Sequence, residues 1–118
     1  MLITAARRWL REGESIVELV SSFSEWPFIL VKAKVDSGAD RTSIDYRLCE
    51  AMGWEVVGST RVRNSIGSQK RDTYAATIVF EDVTFDVDVS GADRSNTSHP
   101  MIIGRDLILE TLEVLEEE

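Results

Sequence analysis

The feature that most constrains this chain is a short acidic turn at the end of an apolar segment. Residues 28–35 are apolar and then alternate with lysine, a pattern typical of a β-strand that enters a core. The segment stops at Asp36-Ser37-Gly38-Ala39-Asp40, which places an acid, a hydroxyl and a glycine in one tight turn. Backbone amides can hold a short carboxylate in such a turn. An ordinary strand end fits this segment alone equally well, so the rest of the chain has to distinguish the two.

A second segment of the same kind lies near the end of the chain. The apolar run Met101-Ile102-Ile103 leads into Gly104-Arg105-Asp106 and then into a helix-like stretch that reaches residue 111. The two segments, in this order in a chain of 118 residues, resemble the retropepsins, the aspartic proteases of retroviruses and their cellular relatives. The resemblance covers roughly residues 14–116.

Between these segments the pattern indicates many short strands and few helices. It predicts a hairpin over residues 15–36, a helix over 43–52 that ends at Gly53, strands over 74–80 and 83–89, and a loop over 90–100. Residues 1–12 fit either a helical turn or a strand.

This order of elements predicts an all-β protein, and the resemblance implies a closed, homodimeric β-barrel of the acid protease type with one or two short helices. We expect one retropepsin-like domain over residues 1–118, with residues 1–13 as an N-terminal extension or an interface segment.

Composition excludes several classes of function. With 13 basic and 21 acidic residues the net charge is −8, which opposes a nucleic-acid partner. No apolar run approaches the ~18 residues of a membrane span, and the first residues lack the pattern of a signal peptide. Cys49 is the one cysteine and His99 the one histidine, so we expect no metal and no cofactor. A single cysteine also suits a reducing, cytoplasmic location.

The resemblance assigns a role to each residue of the first turn. Asp36 matches the catalytic acid, and Ser37 matches the hydroxyl that locks two active-site turns together across a dimer axis. Gly38 completes this catalytic turn, and Ala39 matches a residue that presents backbone to the substrate.

Peptide hydrolysis needs a base to activate water and an acid for the leaving nitrogen, and two neighbouring carboxylates that share a proton provide both. The Asp-Ser-Gly-Ala sequence occurs once in this chain. An active enzyme would therefore be a two-fold homodimer in which each subunit supplies its own Asp36.

Further roles follow for the acid of the first turn and for the second segment. Asp40 matches an acid that binds substrate backbone and pairs with Arg105, although a purely architectural ion pair fits as well. Gly104, Arg105 and Asp106 are expected to give structural support. Asp106 stands where asparagine is more usual, and either residue can cap a helix.

The flap of a retropepsin is a hairpin that closes over the substrate. Residues 61–74 match it, with Ile66 and Gly67 at the tip as substrate-binding residues; an ordinary exposed hairpin is the alternative. Its four basic residues could balance local charge, the interpretation slightly favoured by the sequence, or receive an acidic substrate: Arg61, Arg63, Lys70 and Arg71. Residues 112–116 are predicted to form a strand that interleaves at the dimer interface.

The sequence therefore predicts an aspartic endopeptidase that hydrolyses a peptide or protein substrate with water activated by two Asp36 carboxylates. One alternative is a non-catalytic retropepsin-like dimer that binds peptides or a protein partner, and another is a small acidic β domain that matches by chance. The intact turn at residues 36–39 favours the enzyme, because a binding module has no need of a paired acid.

Overall fold

Strands are the dominant elements of the described part of the chain, and the helices are short. The computed structural model describes residues 8–23, 28–64 and 67–116. In chain order the elements are α1 (Arg8–Glu12), β1 (Glu14–Val20), β2 (Phe28–Val35), β3 (Ser43–Asp45), α2 (Tyr46–Ala51), β4 (Val56–Asn64), β5 (Gly67–Phe80), β6 (Val83–Ala92), β7 (Met101–Ile103) and α3 (Arg105–Glu116).

Six of the strands close into a barrel. The sheet order is β1-β2-β7-β3-β6-β5-β4, and β1 also pairs with β5, so that β4 lies outside the ring. Most pairs are antiparallel, whereas β2–β7 and β3–β6 are parallel. The prediction of a closed, mostly antiparallel β-barrel is confirmed. The β1–β2 pair also confirms the predicted hairpin strands, although residues 24–27 between them lie outside the described residues.

The core follows from strand alternation. In β6, Phe85 and Val89 are buried while Asp86 and Asp88 are exposed, as the period of two requires. The largest side chains with almost no exposure come from four strands and α3: Leu19, Ile44, Ile78, Phe80, Met101, Ile103 and Leu107. Each such side chain contributes about 1.5–3 kcal/mol by leaving water. The core therefore holds the motif-bearing strand β7 in the barrel wall, and the completely buried Ala33 does the same for β2.

The helix predicted over residues 43–52 is wrong in its first part. Ser43–Asp45 form β3, which pairs with both β6 and β7, and the helix begins at Tyr46. Ile44 is completely buried between its neighbouring strands. The Asp45 carboxylate then accepts a hydrogen bond from the Arg47 N–H at 2.9 Å and caps α2. Sheet pairing thus overrides helical spacing here. The loop predicted over 90–100 is also shorter, because β6 continues to Ala92.

The strand predicted at residues 112–116 is wrong, because α3 extends to Glu116. Apolar side chains recur at helical spacing, so that Leu107, Ile108 and Thr111 are buried and Leu112 packs partly against the core.

Residues 8–12, left open by the sequence, form α1, and residues 1–7 lie outside the described residues. No helix in the described part of the chain is long and apolar enough to span a membrane.

Candidate active site

The acidic turn projects from the end of β2 beside the end of β7. Val35 lies opposite Ile103 in the parallel pair, and the Asp36 N–H donates to the Ile103 carbonyl at 2.9 Å. The Gly38 N–H donates to Asp36 Oδ1 at 3.0 Å, which fixes one oxygen of the carboxylate. A Cβ at Gly38 would lie only 3.2 Å from that oxygen, so glycine suits this turn. Asp36 is half-buried, whereas Ser37 and Gly38 are exposed at the subunit surface.

The second motif lies directly beneath this turn. The Arg105 N–H donates to the carbonyl of Ala39 at 2.8 Å, which ties the start of α3 to the acidic turn. Gly104 is buried, and a Cβ there would lie 2.5 Å from the carbonyl carbon of Arg41. Real Cβ atoms do not approach backbone so closely. Two backbone segments therefore pack against each other at a position that admits only glycine.

Thr42 is the residue that locks the two motifs together, and the sequence interpretation missed it. Its side chain is completely buried; its hydroxyl donates to Asp106 Oδ1 at 2.8 Å and accepts from the Gly104 N–H at 3.1 Å. Asp106 Oδ1 also accepts from the N–H groups of Thr42 and Leu107, at 3.0 and 2.7 Å. Asp106 thus binds a free N–H in the first turn of α3 and holds the chain that follows the acidic turn. The signal available in the sequence was a hydroxyl residue directly before residues 43–45, which form the buried strand β3.

Asp40 and Arg105 form an ion pair between the two motifs, as the resemblance implies. The pair is not buried in the subunit, because the side chains of Asp40 and Arg105 are 78% and 56% exposed. The pair lies at the rim of the turn rather than beneath it. Exposed pairs contribute little, typically ~0.2–1 kcal/mol, so Thr42 and Asp106 carry more of the support than Arg105.

The hairpin predicted over residues 61–74 is present and is longer than expected. β4 and β5 pair from Val56 opposite Tyr74 to Asn64 opposite Gly67. Gly67 begins β5 and is exposed, while Ile66 lies outside the described residues, so the substrate-binding role of both stays a prediction. An Arg41 guanidinium nitrogen donates to the Thr60 hydroxyl at 3.3 Å. This contact connects the hairpin to the chain just after the acidic turn.

Asp45 carries another carboxylate that is held by several hydrogen bonds. It accepts hydrogen bonds from Arg47 Nε and Nη2 at 3.0 and 2.8 Å and from the Arg94 N–H at 3.0 Å. The bonds from Arg47, opposed by burial, hold the pKa of Asp45 well below its usual range. This residue, which the sequence interpretation did not select, fastens the loop after β6 to the start of α2.

The comparisons with known proteins agree with this architecture. No family model and no curated protein matches the sequence. Among solved structures, the simian foamy virus (mac) protease has a TM-score of 0.57 at 14% identity, covering 84% of this chain and 97% of its own. The EIAV protease complexed with the inhibitor HBY-793 has a TM-score of 0.62 at 19% identity, covering 85% and 86%.

This protein has a retropepsin-like fold. A Legionella pneumophila protein of unknown function is also similar, with a TM-score of 0.50 at 16% identity over 80% of this chain and 84% of its own. Identities this low show the fold alone, so function has to be argued from the site itself.

Proposed function

We propose that this protein is an aspartic endopeptidase whose active site forms between two copies of the chain. The observation that carries the proposal is the placement of Asp36: one carboxylate oxygen is fixed by the Gly38 N–H, in a turn exposed at the subunit surface. Thr42 and Asp106 hold that turn from below. Such a turn supplies half of a catalytic pair, and a two-fold axis beside Ser37 would bring the second Asp36 to the first.

Two carboxylates about 3–4 Å apart cannot both ionise, so the pair shares one proton. The charged Asp36 takes a proton from water, which attacks the peptide carbonyl carbon. The protonated Asp36 of the other subunit then gives its proton to the leaving nitrogen. Ser37 locks the two turns, Ala39 and Asp40 bind substrate backbone, and the β4–β5 hairpin covers the substrate.

The direct test is cleavage of a diverse peptide library by the wild type and by Asp36→Asn. The amide keeps the shape of the side chain but cannot take up the proton of water, so we expect the rate to fall by about 10²-fold or more. Pepstatin should inhibit the wild type. Asp88→Asn is the matched control, because this aspartate is exposed on β6, and it should cleave at the wild-type rate.

Near-wild-type cleavage by Asp36→Asn would overturn the proposal. Peptide binding by the wild type without cleavage would instead support the non-catalytic alternative.

A further inference from the structure

One face of the sheet beside the acidic turn carries buried hydroxyl groups. Thr73 on β5 lies directly opposite Ser90 on β6, and Ser90 is in register with Ser43 on β3. Residues in register share a face of the sheet, so the three form one row across neighbouring strands. All three are buried, at 7–8% exposure, although serine and threonine are mostly found exposed. The row is therefore a polar lining at a depth where apolar side chains usually pack.

Arg71 belongs to the same face as this row. It lies two residues before Thr73 on β5 and directly opposite Thr60, whose hydroxyl binds Arg41 just after the acidic turn. Arg61 and its partner Lys70 occupy the next register position and hence the opposite face of the hairpin. The basic residues of the hairpin therefore lie on both of its faces. Arg71 lies on the face that carries the row of buried hydroxyl groups, and Arg61 lies on the opposite face.

Arg94 brings a second positive charge to this region. Its N–H donates to Asp45 and its Nε donates to the His99 carbonyl at 2.8 Å, so the side chain is held in a half-buried position. Burial and then the charge of Arg71 lower the pKa of Arg94, while the carboxylates of Asp45 and Asp36 act in the opposite direction. Arg94 therefore lies within electrostatic reach of both Arg71 and the candidate catalytic acid.

Two buried polar atoms of this region are available to form hydrogen bonds with a ligand. Arg71 Nε and Ser43 Oγ are buried without a hydrogen-bond partner in the described part of the chain, a costly arrangement that calls for an explanation. The nearby Asp45 carboxylate is already occupied by the two-point contact with Arg47. The buried, unpartnered Nε of Arg71, with the charge of Arg94 within electrostatic range, is consistent with an anion-binding site in a chain of net charge −8.

We propose that Arg71, Arg94, Ser43 and Ser90 form a pocket for the carboxylate side chain of a substrate glutamate or aspartate close to the scissile bond. This inference rests on the proposed function, and it names the class of peptide that the site selects. A guanidinium binds a carboxylate through two parallel hydrogen bonds, and the Ser43 hydroxyl can add a third. A site built for such bonds discriminates strongly against a substrate that lacks the acceptor.

The test compares peptides that differ in one residue, glutamate or its uncharged isostere glutamine, placed in turn at each position within two residues of the cleaved bond. We expect wild-type kcat/KM to favour the glutamate peptide by about 10-fold or more at one position, as a charged hydrogen bond typically provides. Arg71→Gln should remove that preference by lowering kcat/KM for the glutamate peptide alone. Arg61→Gln makes the same chemical change on the opposite face and should keep the preference.

Failure of the pocket can be told apart from failure of the proposed function. Cleavage without a glutamate preference, or with a preference that survives Arg71→Gln, would overturn the pocket and leave the peptidase proposal intact. Fluorescence anisotropy of the same peptides with Asp36→Asn tests the pocket without catalysis. Tighter binding of the glutamate peptide, lost on adding Arg71→Gln, would support the pocket even if the wild type cut nothing. Equal binding of both peptides, or no binding, would overturn it.

Discussion

The replacement of Thr42 by valine tests whether one buried hydroxyl holds the two motifs together. Valine keeps the shape of threonine but cannot bond to Asp106 or accept from the Gly104 N–H. Gly104 is buried, so its N–H would be left without a partner, which costs about 1–3 kcal/mol. The lost bond to the carboxylate adds to this, because bonds to charged groups contribute about 1.5–3 kcal/mol. We therefore expect Thr42→Val to lower the free energy of unfolding by about 2.5–6 kcal/mol.

Urea denaturation at one fixed protein concentration measures this loss, since dimerisation would make stability depend on concentration. Thr77→Val is the matched control: its hydroxyl also binds an aspartate, Asp86 at 2.9 Å, but on the exposed face of the sheet. The control should change the free energy of unfolding by less than about 0.5 kcal/mol. Equal losses in Thr42→Val and Thr77→Val would refute the argument that burial makes this hydroxyl important.

Three further predictions follow from the same contacts. Arg105→Ala should cost less than about 1 kcal/mol because its partner is exposed, and a double-mutant cycle with Asp40→Asn should give a coupling energy of the same small size. A larger coupling energy would mean that the pair is buried in the working protein. Gly104→Ala should destabilise by about 3 kcal/mol or more by thermal unfolding, because its Cβ would overlap backbone, whereas Gly58→Ala, with open space around it, should not. The pKa of Asp45 is lowered in the folded protein, so its stabilisation is present above an unfolded pKa near 4 and is lost as the pH falls through the folded value. Asp45→Asn should flatten the acid side of the stability curve below about pH 4, and an unchanged acid side would contradict this assignment.

The alternating and apolar patterns were sufficient to predict an all-β protein, because a period of two is a direct consequence of strand geometry. The two motifs could also be located from the sequence, since each interrupts a strand-like run with a glycine and an acid. That they meet is a property of the parallel pairing of β2 with β7, which joins residues far apart in the chain. Periodicity carries no information on such pairing. The prediction that Asp40 of the first motif pairs with Arg105 of the second therefore depended on the resemblance to the retropepsins.

Other features were beyond the sequence for physical reasons. Residues 112–116 have apolar side chains that suit a strand, yet α3 continues through them because its inner face packs on the core. The exposure of the Asp40–Arg105 pair and the burial of Thr42 depend on tertiary packing, which local pattern does not encode. Likewise Arg71 and Arg61 look alike in sequence, and only the register of β4 and β5 assigns them to opposite faces.

The central claim is that two copies of Asp36 form one active site, and the dependence of activity on concentration tests it most directly. Cleavage rate per subunit would be measured during serial dilution, alongside sedimentation that gives the dimer fraction at each concentration. We expect the rate per subunit to fall in proportion to the dimer fraction, and added Asp36→Asn subunits to suppress wild-type activity by forming mixed dimers. A rate per subunit that stays constant while the protein sediments as a monomer would contradict the claim.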